Sequence, residues 1–172
     1  MWSSDIKRFR GVALTIAACG ALSGCLTPMY GGASGELLVQ EMRAIKVEPI
    51  PERIGHYLGN ELTFLLNGTG SQSAPKYKLT ISLTQRIQSP LIDSVSGRAT
   101  SGTVIVDADY SLTPIAGGAP IAGGVAFAAA SYDRSSQRYA NLRAARDGEI
   151  RDAKALAEQI RTRLAIELAR RT

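Results

Sequence analysis

Asp107 and Asp109 stand two residues apart in GTVIVDADYSL, a spacing that puts both carboxylates on one face of a strand. That geometry suits acid–base or cation chemistry. The same carboxylates also have a structural use, because Lys78 and Arg86 on the preceding strand pattern offer ion-pair partners across a sheet. The only histidine, His56, lies in a helical pattern with no cysteine or second ligand beside it, so a metal site lacks parts and a surface or boundary position is expected. The paired glycines Gly117–Gly118 and Gly123–Gly124 do not space a phosphate loop ahead of a helix. No serine sits in a G-x-S-x-G frame. These residue types point away from catalysis: no catalytic residue, metal or cofactor is expected.

Of the two cysteines, Cys19 lies within GVALTIAACGALSG, an uncharged segment behind Lys7, Arg8 and Arg10. The segment falls short of the roughly 20 apolar residues that a membrane-spanning helix needs. With its basic start it has the form of a secretory signal. Leu22, Ser23, Gly24 and Cys25 resemble the bacterial lipobox, in which the cysteine is lipidated on sulfur before cleavage at its amino side. The expected organisation is a lipoprotein signal peptide over 1–24, a lipidated Cys25 with a Gly-rich tether over 25–36, and a single domain over 37–172. Acyl chains bind a membrane with about 0.8 kcal/mol per buried methylene, and stable anchoring takes more than one chain. Leu26 follows the cysteine where an aspartate would resemble an inner-membrane retention signal, which favours the outer membrane.

Residues 25–172 are long enough to bury a core as one domain. The formal charge of +5 for the whole chain falls to +3 once Asp5, Lys7, Arg8 and Arg10 are removed. A mild excess with both signs interspersed gives no support to nucleic-acid binding and leaves anionic lipid as a partner.

Periodicity supplies the elements. In MRAIKVEPIP, Ile45 and Val47 alternate with Lys46 and Glu48, which predicts a first strand stopped by Pro49 and Pro51. Ile54, Leu58, Leu62 and Leu65 then recur at helical spacing, and Asn67 with Gly68 closes the helix. Three strand patterns follow. The first turns Tyr77, Leu79, Ile81, Leu83 and Ile87 to the core, and the second turns Val104, Val106, Ala108, Tyr110 and Leu112. The third keeps Ile121, Val125, Phe127 and Ala129 in phase after the hairpin connection TPIAGGAP. A long closing helix is expected behind a cap at Ser135 or Ser136, with an apolar stripe through Tyr139, Leu142, Ile150, Ala153, Ala157, Ile160, Leu164 and Leu168. Gly148 is a candidate break in it.

The order β-α-β-β-β-α predicts an α+β two-layer sandwich, with two helices packed on one face of a four-stranded mixed sheet. The other face, rich in Thr and Ser with scattered charges, is left for solvent or a partner.

Several stretches together resemble the LptE family, the lipoprotein partners of the LptD barrel in lipopolysaccharide transport, in the version found in alpha-proteobacteria. The lipobox followed by PMYG is similar to the family's opening, one residue shorter and without its phenylalanine. IKVEPIPERIGHYLGNEL resembles the family's first strand and helix, and YKLTISL its second strand. ASYDRSSQRYANLRAARDGEIRDAKALAEQIRTRL resembles its closing helix. The resemblance implies a non-enzymatic role, a place inside an LptD-like barrel at the outer membrane, and contact with lipopolysaccharide. Lys78 and Arg86, on the polar sheet face, are the candidate contacts for lipid phosphate. The alternative is a periplasmic lipoprotein accessory of an ABC-type phospholipid transport system, which an apolar, lipid-facing groove would favour.

Overall fold

The computed structural model describes residues 32–68, 70, 73–89 and 99–171. The expected signal peptide and the lipidation of Cys25 lie outside them. Within them run helix α1 (Gly32–Arg43), strand β1 (Ile45–Val47), helix α2 (Glu52–Asn67), strands β2 (Tyr77–Gln88), β3 (Ser101–Pro114) and β4 (Ala122–Asp133), and helix α3 (Arg138–Ala169). The sheet order is β1-β2-β3-β4, with β1 parallel to β2 and the remaining pairs antiparallel. The expected α+β sandwich on a mixed sheet is the architecture found.

Helix α1 was not expected. It takes Met42 and Arg43 from the predicted first strand, so β1 is only three residues long. Leu38 and Met42, one turn apart, bury in the core. Glu41 accepts hydrogen bonds from Lys76 Nζ at 2.6 Å and Tyr77 Oη at 2.8 Å, which ties the helix to the start of β2. The Lys76 bond is the main reason the Glu41 carboxyl is held below its ordinary range.

Helix α2 buries Ile54, Gly55, Leu58, Leu62 and Leu66, so Leu66 takes the place expected for Leu65, which is only partly buried. Gly68, at φ 60°, ends the helix with its N–H on the Phe64 carbonyl 2.8 Å away. In the turn before β4, Gly117 and Gly118 have φ of 93° and 125°, which side chains resist.

Strands β2 and β3 keep their predicted phase, except that Ile87, expected in the core, lies near the end of β2 and is 55% exposed. Leu79, Ile81, Val104, Val106, Ala108, Tyr110 and Leu112 are buried under the helices. Each large aliphatic among them contributes about 1.5–3 kcal/mol by leaving water. Strand β4 has the opposite phase from the one expected. Ala122, Ala126, Ala128 and Ala130 face the core, while Val125 and Phe127 are 54% and 50% exposed on the open face. Antiparallel register fixes this, since Val125 stands opposite Asp109 and Phe127 opposite Asp107, and partners share a face.

Helix α3 runs unbroken through Gly148. A Cβ there would meet Val104 Cγ2 at 3.3 Å, so the glycine lets the helix approach the sheet. The helix starts at Arg138 without a side-chain cap. Ser135 instead holds the entry loop, its N–H on Asn141 Oδ1 at 2.8 Å and its carbonyl on Asn141 Nδ2 at 2.9 Å. The buried face matches the expected stripe at Ala153, Ala157, Ile160, Leu164 and Leu168. At its start, Glu149 and Asp152 are buried where Ile150 was expected, and Tyr139 and Leu142 stand exposed.

Candidate interaction surface

The open face of the sheet carries both candidate cations. On β2, alternation turns Lys78, Thr80, Ser82, Thr84, Arg86 and Gln88 outward, all exposed. On β3 it turns out Thr103, Ile105, Asp107, Asp109, Ser111 and Thr113, and on β4 Val125, Phe127, Ala129 and Ser131. The surface is therefore polar over β2 and increasingly apolar toward β4. Thr103 and Ser131 hydroxyls meet across the strands at 2.9 Å.

Arg86 Nη1 donates to Asp107 Oδ2 at 2.6 Å, the cross-strand pairing expected of those residue types. Lys78 stands opposite Thr113 and beside Lys46, away from both aspartates, and Asp109 stands opposite Ser82. Lys78 and Arg86 share the face but are eight residues apart on one strand, roughly 26 Å at about 3.3 Å per residue. They cannot meet on one phosphate group.

A second polar constellation lies on the helix side. Glu149, 4% exposed, accepts from Arg53 Nε at 2.8 Å, Arg53 Nη2 at 2.6 Å and Gln85 Nε2 at 3.3 Å. Burial pushes its carboxyl up. The bonds from Arg53 and Gln85, with the charges of Arg53 and Arg146, outweigh that and hold it below the ordinary range. One turn on, Asp152 is 2% exposed and its Oδ2 has no hydrogen-bond partner. Burial pushes it up to about 6, against a backbone bond from Ala130 and the Arg151 charge. Glu149 falls four positions before Ala153 and Asp152 four before Leu156, in phase with the buried stripe. That spacing was the available signal, and their charge hid it.

His56 is exposed on α2, with its Nε2 3.1 Å from Asn60 Nδ2. It lines a groove of about 250 Å³ with Val47, Glu48, Pro49, Ile50, Gly55, Gly59, Asn60 and Thr63. Among the described residues no group of three or more His, Cys, Asp or Glu is placed to hold a metal, and no helix is long and apolar enough to cross a membrane.

A two-layer sandwich with one sheet face left open is a fold that bacterial lipoproteins carry. A crystal structure of a protein described as a lipoprotein of Caulobacter crescentus CB15 is similar at a TM-score of 0.65 and 26% identity, covering 78% of this chain and 97% of that one. The minor lipoprotein of Acinetobacter baumannii shares the fold at a TM-score of 0.56 and 20% identity, over 72% of this chain and 91% of its own. Rare lipoprotein B of Shewanella oneidensis overlaps at a TM-score of 0.46 and 12% identity, a likeness too loose to bear on function. No protein-family model matches the chain, and no curated protein matches it.

Proposed function

We propose that this chain is a lipid-anchored outer-membrane lipoprotein that acts without catalysis, by assembling with and plugging an LptD-type barrel and so supporting lipopolysaccharide insertion into the outer leaflet. The observation that carries the reading is the open sheet face on a fold shared with the Caulobacter lipoprotein over nearly all of that chain. A face that is Thr- and Ser-rich over β2 can fill a polar barrel lumen without setting apolar surface against water, and Val125 and Phe127 give it an apolar border to seat. The lipobox resemblance assigns Cys25 the anchor. Lys78 and Arg86 are the cations offered to lipid phosphates, each acting separately at its own end of β2.

The alternative, a phospholipid-transport accessory, calls for an apolar groove. The groove beside α2 presents Glu48, His56, Asn60 and Thr63 along with its apolar side chains and does not favour it. The deciding experiment is detergent extraction and pull-down through a C-terminal tag, with barrel heat-modifiability and surface lipopolysaccharide measured after depletion. The proposal expects the barrel to co-purify and both readouts to fall. An unaffected barrel together with impaired phospholipid transport would give the function to the alternative.

A further inference from the structure

The two edges of the sheet are closed in different ways. At one edge β1 is three residues long, carries Lys46 and runs into Pro49 and Pro51, which are the usual defences against strand addition. At the other edge β4 is twelve residues long and has none of them. From Val125 to Tyr132 it reads VAFAAASY, without charge, proline or glycine. Unpaired, such a strand is a template for another strand.

What lies along it is α3. Arg151 Nη2 donates to the Ser131 carbonyl at 2.9 Å, Gln159 Nε2 to Phe127 O at 2.8 Å, Arg163 Nη1 to Val125 O, and Arg171 Nη2 to Ile121 O at 3.2 Å. The pairing keeps one register. Eight helix residues from 151 to 159 answer four strand residues from 131 to 127, and four from 159 to 163 answer two. Arg171 and Ile121, just beyond the ends of α3 and β4, continue the same spacing, eight residues against four. Helix rise and strand rise make this possible, since four helical residues advance about 6 Å and two strand residues about 6.6 Å. Such a row drifts around the helix by roughly 40° per step. Its outermost members are arginines, long enough to reach back to the edge.

We infer that α3 is an in-chain block on strand addition at β4, supplying side-chain donors where a fifth strand would supply backbone N–H groups, and that the occupant it keeps off is the β4 edge of a second copy. A second copy fits because β4 paired antiparallel with itself opposes no like charges. It would also cover Val125 and Phe127, which are exposed beside the edge. Guarding by α3 further explains why the inward residues of β4 are alanines: with Gly148 they let the helix sit low enough for its side chains to reach the carbonyls.

The test uses the full-length protein, extracted in detergent and freed of other proteins, with self-association measured by light scattering across a concentration series. Gln159→Ala/Arg163→Ala should self-associate at least tenfold more tightly than the natural chain. Adding Ala129→Lys, which sets like charges against each other in a β4–β4 pair, should return it to the natural chain's behaviour. A folded double variant with unchanged association, or association that Ala129→Lys does not reverse, would overturn the inference. If the double variant does not fold, the single variants decide. Gln159→Lys keeps a donor and should stay as the natural chain is, while Gln159→Glu offers only acceptors and should associate. Equal behaviour of those two would also overturn it.

Discussion

Strands β3 and β4 lie side by side in one sheet, yet they place their large side chains on opposite faces. β3 sends Val104, Val106, Tyr110 and Leu112 under the helices, and β4 sends alanines there and turns Val125 and Phe127 outward. The difference follows from the distance at which a helix must sit. Over β3, large side chains fill the space between layers. Over β4, α3 sets Gly148 against Ala130 and comes close enough for Arg151, Gln159 and Arg163 to reach backbone. Which face of a strand is buried was decided here by fit to the neighbouring helix, and the more apolar face lost.

The largest effect that would sharpen this contrast is expected on the β3 side. Leu112 is fully buried among the core residues, so Leu112→Ala loses transfer energy and leaves a cavity, costing about 2–5 kcal/mol. Denaturant unfolding monitored by circular dichroism measures it, and a cost near zero would mean that the core is loosely packed at this layer.

On β4 the expectation is reversed between neighbours. Ala126→Leu adds volume where α3 lies close and should destabilise by about 1–3 kcal/mol. Phe127→Ser, one residue along but on the open face, should stay within about 0.5 kcal/mol. If the serine variant proved the more damaging of the two, the assignment of faces in β4 would be wrong.

These positions also explain how much of the molecule could be read from its sequence. Clean alternation in β2 and β3, the Asn67–Gly68 helix end and the 3.6-residue recurrence in α2 and the second half of α3 gave the layers and the strand count. The Arg86–Asp107 contact was foreseeable from residue type and face. Helix α1 was hidden because Gly32 and Gly35 argue locally against a helix, and its helical state is supported by the Glu41 contacts and by burial of Leu38 and Met42, which come from elsewhere in the chain. The phase of β4 was hidden because both of its faces are uncharged, so alternation gave no polar reference. The α3 row could not be read at all. It depends on where a helix lies relative to an edge, a relation that no local pattern encodes.

The next effect is a pH dependence that separates two buried carboxylates. Asp152 has a folded pKa raised by burial to about 6 from an ordinary 3.8, so between those values the folded state holds a proton that the unfolded state has released. Its contribution therefore favours folding at low pH and is lost as pH rises from about 4 through about 6. Glu149 acts in the opposite sense: its carboxyl is lowered, and the stability it adds is present above the ordinary carboxylate range and lost on acidification. Asp152→Asn should accordingly stabilise the protein above pH 6, on the order of 1–3 kcal/mol, and have little effect near pH 4. Glu149→Gln should destabilise at neutral pH, because Arg53 loses its charged partner. Thermal unfolding across pH 4–8 reads both, and an Asp152→Asn gain that did not depend on pH would assign the effect to packing instead of ionisation.

The smallest effect probes the α3 row from the constructive side. In the register set by Arg151 on Ser131 and Gln159 on Phe127, the step between them places Ala155 against Ala129. Both residues are exposed, and an alanine side chain has no donor to give. Ala155→Gln should add a bond of the kind that Gln159 makes, worth about 0.5–1.5 kcal/mol, less a few tenths for the poorer helix propensity of glutamine. For a domain of this size that is a rise in Tm of about 1–4 °C. Ala155→Glu has nearly the same length and helix propensity but cannot donate, so it should bring no gain and serves as the control. Equal Tm values for the two variants would show that the edge carbonyl at this step gains nothing from a donor and that the row is a set of separate contacts. A gain confined to glutamine would extend the register to a position where nothing in the natural sequence placed a bond, which is the strongest sign that the helix is matched to the strand edge as a unit.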